Sequence, residues 1–173
     1  MKKTVLHLND YAPYYRPYID AIDENVDLFE ELEISLHAFI RMVREIPMEL
    51  IDYRYAPGKW SIKDIIQHLI DAERVFAYRA LRIGRGDTTP LAGFDENDYA
   101  DDAMAHKRTI NELLSEFSEV RFATLSLFRS FGEERMQRRG TASGHPVTTA
   151  ALGFMILGHQ KHHQKVYRER YLS

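Results

Sequence analysis

The sequence predicts an all-α fold, a four-helix bundle. Three observations point to it. Four long segments carry apolar residues at three- and four-residue spacing, the pattern of amphipathic helices. Caps and breakers separate them, and no segment reads as a convincing strand. The chain has 173 residues, 45% of them hydrophobic and 28% charged, which is ordinary for a globular protein and enough to bury a core without staples. Four helices in one domain's length pack as a bundle. A single domain over 1–173 is expected, opening on an N-terminal arm over about 1–19.

The first helix is expected over about 20–46, with Ile22, Val26, Phe29, Leu32, Leu36, Phe39, Ile40 and Val43 as its stripe and Pro47 as its stop. The linker from Asp52 to Lys59 is rich in turn residues. The second helix is expected over about 61–84: Ser61 is a natural N-cap, and Asp64 three residues on resembles a capping box. Ile62, Ile65, Ile66, Leu69, Phe76, Ala80 and Ile83 form its stripe, and Gly84 and Gly86 end it.

The third helix is expected over about 101–131. Asp95, Glu96, Asp98, Asp101 and Asp102 lead into it, and such charges suit the exposed N–H groups of a helix start. Met104, Ile110, Leu113, Leu114, Phe117, Val120, Leu125 and Phe128 are its apolar set. Residues 138–146 read as a loop. The fourth helix, over about 148–171, is capped by Thr148 or Thr149. The loops on either side of the third helix exceed a minimal connection, and loops of that kind often roof a site at one end of a bundle.

Composition excludes several functions. The chain has no cysteine and eight histidines. Disulfides, thiolate zinc sites, iron–sulfur clusters and a cysteine nucleophile are therefore ruled out, and any metal must be held by imidazole and oxygen. The net charge of −3 and the lack of a basic stripe argue against nucleic acid as a partner. The most apolar run, Ala150–Leu157, is too short to span a bilayer. Met1–Asp10 has a basic opening without the apolar region of a secretory leader. A cytoplasmic protein acting on a small molecule is expected, with no membrane partner.

His159 and His163 stand four residues apart on the fourth helix, so they share a face. With Leu152 at zero, His159 falls at about 340° and His163 at about 20°, on the buried stripe, while His162 falls at about 280°, at its edge. Two adjacent imidazoles in a core need partners for their nitrogens. Either they share a metal, or both reach solvent or backbone groups near the helix end. On the second helix, with Ile62 at zero, His68 lies at about 240°, where a half-exposed side chain is expected. Glu73 lies at about 20°, mid-stripe, where a carboxylate is costly unless it orients a ligand imidazole or meets an arginine. Asp71, one turn from His68, is a second candidate for such an outer hydrogen bond. His7, His37, His106 and His145 fall in an arm, on a solvent face, in a polar stretch and in a loop.

Pro57-Gly58-Lys59-Trp60-Ser61-Ile62, then His68-Leu69-Ile70-Asp71, then Gly158-His159-Gln160-Lys161-His162-His163, resemble the DinB/YfiT-like superfamily of metal-binding four-helix bundles. The resemblance covers almost the whole chain. It implies a metal triad of His68, His159 and His163, a divalent ion (zinc or nickel) and a homodimer. Relatives include bacillithiol- and mycothiol-dependent S-transferases and proteins first described as hydrolases. Three imidazoles leave a coordination position open, the catalytic pattern.

Transfer of a low-molecular-weight thiol to an electrophile is the leading expectation. Hydrolysis by an activated water is the alternative, and a non-catalytic metal- or ligand-binding module the second alternative. The thiol must come from a cosubstrate. Arg79, Arg138 and Arg139 are candidate cations for an anionic one. Tyr11, Tyr14, Tyr15 and Tyr18 either line an entrance or pack the N-terminal arm across the bundle.

Overall fold

Side-chain caps decide where the four bundle helices begin. In the computed structural model, which describes residues 1–171, a short α1 (Arg16–Asp20) precedes α2 (Leu28–Arg44). The Asp27 carboxylate accepts hydrogen bonds from the Phe29 and Glu30 amides and so starts α2 there. The first helix is thus shorter than the expected 20–46; Ile22 is buried, but in the turn before α2. Helix α3 (Ile62–Gly84) opens on the Ser61–Asp64 capping box, as expected. Residues 172 and 173, the end of the expected domain, lie outside the described residues.

The expected third helix, 101–131, is two helices. The first, α4 (Glu96–Ala103), ends at Met104, whose backbone is left-handed with φ 47°, and a 3₁₀ turn over Ala105–Lys107 follows. The chain restarts at Thr109, which with Glu112 forms a second capping box for α5 (Ile110–Arg129). Met104 is consequently 45% exposed rather than part of an apolar stripe.

After the short α6 (Glu133–Met136), the expected loop is a hairpin, β1 (Arg139–Ala142) paired antiparallel with β2 (His145–Thr148). Ser143 and Gly144 both have positive φ, as a two-residue turn between twisted strands requires. The hairpin holds the α3–α4 loop: the Leu91 amide donates to Thr141 O (2.9 Å) and Leu91 O accepts from the Ser143 amide (3.0 Å). Thr148 caps α7 (Thr149–Arg170).

In the bundle α2 and α3, consecutive long helices, do not flank one another. Each packs on α5 and α7, so they sit on opposite corners. The apolar core is divided in two. One cluster contains Leu28, Leu32, Phe76, Leu125 and Phe128, the other Leu36, Phe39, Leu69, Phe117 and Tyr167. Between them runs a buried polar layer formed by Ser35, Glu73, Arg121, His159 and Gln160.

Residues 149–160 of α7 are buried on every side. Gly158 makes this possible where α1 crosses: a β-carbon there would lie 2.3 Å from Tyr18 O. Gly158→Ala is therefore expected to force α1 off α7 and to destabilise by roughly 1–3 kcal/mol. An unchanged urea midpoint would contradict this packing.

Candidate metal centre

His68 sits in the second turn of α3, and His159 and His163 on successive turns of α7, the helix packed beside it. The three Nε2 atoms converge. His159 Nε2 lies 2.9 Å from His68 Nε2 and 3.1 Å from His163 Nε2. All three residues are buried, with 8%, 7% and 9% of their surface exposed in chain order. His68 is thus more buried than its place on the helical wheel suggests, because α7 covers that flank. Burial lowers the His68 pKa to about 4. Burial, and then the neighbouring imidazoles, hold His159 and His163 well below the usual histidine value.

This donor set fits a metal ion. Three neutral imidazoles meet nitrogen to nitrogen, and as a group could hold one ion. Two nitrogens bound to the same zinc at about 2.0–2.1 Å stand no more than ~4 Å apart, which both short separations satisfy. His162, the neighbour of His163, remains outside the cluster; it is exposed, its ring 5.1 Å from that of Tyr18.

The same burial fixes a pH response of the metal-free protein. Below the unfolded histidine value of about 6.5 the unfolded chain takes up protons that the buried imidazoles refuse. Stability is therefore expected to be level above pH 7 and to fall as pH drops from about 6.5 towards 4, by on the order of 2 kcal/mol at pH 5 from His68 alone. Urea midpoints of chelator-treated protein that do not move between pH 7 and pH 5 would exclude this.

The two carboxylates proposed to orient the ligands are placed differently. Glu73 is buried and meets an arginine: Arg121 Nε and Nη2 donate to its two oxygens, each at 2.8 Å. Arg121 is fully buried and also donates to Leu32 O (2.9 Å), Ser35 Oγ (3.3 Å) and Gln160 Oε1 (2.8 Å), while Gln160 Nε2 donates to Ser35 O (2.8 Å). All four bundle helices are tied together by this network, one residue from His159. Asp71 accepts from Gln67 Nε2 at 3.1 and 3.2 Å and lies 3.8 Å from Arg74. None of these bonds of Glu73 or Asp71 reaches a cluster histidine.

Arg121 and Gln160 do not figure among the sequence-predicted site residues. A signal for Arg121 was present: it stands four residues after Phe117 and four before Leu125, in mid-stripe.

A cleft of about 180 Å³ opens onto the three histidines. Its inner walls are aromatic. The Trp60 ring lies 4.6 Å from His68 and stacks 6.4 Å from His163, and Tyr18 and Phe76 stand 5.4 and 6.2 Å from His159. Phe94 from the α3–α4 loop and Ser143 from the hairpin turn complete the lining, so both long loops reach the site as expected. Tyr14, Tyr15 and Tyr18 line the cleft, whereas Tyr11 is part of the core. Arg138 donates to Gly84 O and Glu134, and Arg139 to Asn9 O and Asp10.

Residues 31–166 match the family model of the DinB superfamily. The chain belongs to the DinB superfamily. Its fold is similar to that of YfiT from Bacillus subtilis, described as a probable metal-dependent hydrolase with an unusual four-helix bundle topology. The TM-score is 0.70 at 17% identity, over 93% of this chain and 94% of that one. It is also similar to a mycothiol-dependent maleylpyruvate isomerase, with a TM-score of 0.64 at 15% identity, over 80% of this chain and 60% of the isomerase. This DinB-superfamily chain therefore corresponds to less than two thirds of the isomerase's length. No curated protein matches it by sequence. Among the described residues, no helix of this DinB-superfamily protein is long and apolar enough to cross a membrane.

Proposed function

We propose that this DinB-superfamily protein is a divalent-metal enzyme that transfers a low-molecular-weight thiol to a small electrophile. One observation carries the reading: three buried, neutral imidazoles converge at the floor of a cleft that a small molecule can enter. His68, His159 and His163 would hold the ion, zinc or nickel. Such an ion supplies a Lewis acid that favours the thiolate form of a bound thiol, or the deprotonated form of water, at neutral pH.

The chain's own residues set the conditions. Trp60, Tyr18 and Phe76 wall the histidines and limit water around them. The Glu73–Arg121–Gln160 network holds α3 and α7 together, and so holds His68 against His159. The chain has no cysteine, so the sulfur arrives with a cosubstrate. The mycothiol dependence of one structural neighbour supports the thiol reading. The description of YfiT favours a second reading, metal-dependent hydrolysis at the same site. A cytoplasmic location and a homodimer belong to the proposal as well.

The test begins with metal analysis of untagged protein. Metal-loaded protein is then offered bacillithiol, mycothiol or glutathione with a model electrophile, and esters and amides in parallel. Thiol consumption that disappears in His159→Ala supports the transferase; thiol consumption that survives in His159→Ala sinks it. Ester or amide turnover without thiol turnover selects the hydrolase. Stoichiometric metal with neither activity leaves a non-catalytic metal-binding module.

A further inference from the structure

Glu96 stands at the first position of α4 and lines the cleft that leads to the histidines. It is half-buried, and among the described residues its carboxylate has no hydrogen bond or ion pair. Its charge reaches the nearest rings as the smallest of several contributions: burial raises the Tyr15 and Tyr18 hydroxyl pKa values, Arg79 opposes this at Tyr15, and Glu96 adds a little to the rise at both. Among the described residues, no lysine or arginine lines this cleft. Arg79 lies behind the wall, 3% exposed, and is already engaged: its Nη2 donates to Ala92 O (2.8 Å) and Ser143 Oγ (2.9 Å), and its guanidinium sits 5.9 Å over the Phe94 ring. An anion entering the cleft thus meets an unpaired carboxylate and no free cation. A cation meets that carboxylate among tyrosine faces, the surroundings that favour an ammonium group.

We propose that the cleft selects a ligand carrying a protonated amine, with Glu96 as the counter-charge and the Tyr14, Tyr15 and Tyr18 rings packed around it. This rests on the reading of the cleft as the substrate site and names a chemical class for the electrophile that the thiol would meet there: one carrying a protonated amine rather than a carboxylate or phosphate. None of the three arginines suggested by sequence for an anionic cosubstrate is among the lining residues: Arg138 and Arg139 are bonded elsewhere, and Arg79 is held by Ala92 O and Ser143 Oγ.

The test needs neither metal nor turnover. Trp60 is the chain's one tryptophan and lines the cleft, so its fluorescence reports occupancy. Metal-free protein is titrated with phenethylammonium, 2-phenylethanol and 3-phenylpropanoate, probes of similar shape and different charge. The cation is expected to bind about tenfold more tightly than the anion or better, with the alcohol between them. Glu96→Gln should reduce the preference to roughly twofold or less, and Glu96→Lys should invert it. Asp98→Asn, a carboxylate on the same helix that lines a different groove, should leave it unchanged.

Equal or tighter binding of the anion overturns the proposal, as does a preference that survives Glu96→Gln or falls equally in Asp98→Asn. Thermal melts of each variant show that the fold is kept. Failure here with thiol turnover intact removes only the charge assignment. A charge preference without metal binding or turnover removes only the proposed reaction.

Discussion

His159→Ala is expected to abolish stoichiometric binding of a divalent ion. His159 is the hub of the cluster, since its Nε2 is the atom within 2.9 Å of His68 Nε2 and 3.1 Å of His163 Nε2. Removing it leaves two imidazoles, one from each helix, and breaks the group of three. The loss in affinity should exceed the ~10–100-fold that follows from losing an outer hydrogen-bond partner of a ligand. His162→Ala supplies the contrast: it removes an exposed imidazole outside the cluster and should leave one equivalent of metal in place. Zinc and nickel titrations of chelator-treated protein decide the matter. One tightly bound equivalent in His159→Ala, or its loss in His162→Ala, would show that the ion is held by a different set.

The second large effect lies in the layer beneath. Arg121→Met leaves the Glu73 carboxylate buried, 3% exposed, without its two 2.8 Å donors. Such an orphaned charge costs about 3–5 kcal/mol, against a much smaller cost when both partners are replaced together. Arg121→Met should therefore lower the unfolding free energy by that amount, and Glu73→Gln/Arg121→Met should recover more than half of it. Equilibrium urea unfolding measures both. A loss below about 1 kcal/mol in the single variant would mean that water reaches the pair and that the layer is not sealed. The variant also tests the coupling to the metal. Gln160, bonded to Arg121, adjoins His159, so the single variant should bind metal more weakly as well.

Much of this was legible in the chain. Ser61 and Asp64 announce α3, and the Thr148–Thr149 pair announces α7, with Thr148 proving to be the cap, because a cap is a local interaction whose partners lie three residues apart. Thr109 and Glu112 carry the same signal, yet the apolar spacing on both sides of it invited one long third helix. Periodicity measures which face is apolar and is blind to a single left-handed residue such as Met104. Glu73 in mid-stripe showed that a buried charge was coming and that an arginine was one of its two candidate partners; which arginine depended on α5 lying beside α3.

By itself the sequence determined the four-helix-bundle class, the pairing of His159 with His163 on one face, and, through its likeness to a metal-binding family, His68 as the third member. Those are properties of single helices and of motifs, and they follow from 3.6 residues per turn and from the identity of a few side chains. The tertiary structure decided the rest. A helical wheel ranks positions around one axis and cannot say which neighbour covers them. His68, at the wheel's margin, is buried because α7 packs along that flank. Residues 149–160 are buried on every side because α3, α2 and α1 all pack on α7, with Gly158 letting α1 approach. Consecutive long helices occupy opposite corners, so the carboxylate and the guanidinium of the polar layer, 48 residues apart in the chain, meet inside the core beside the histidines.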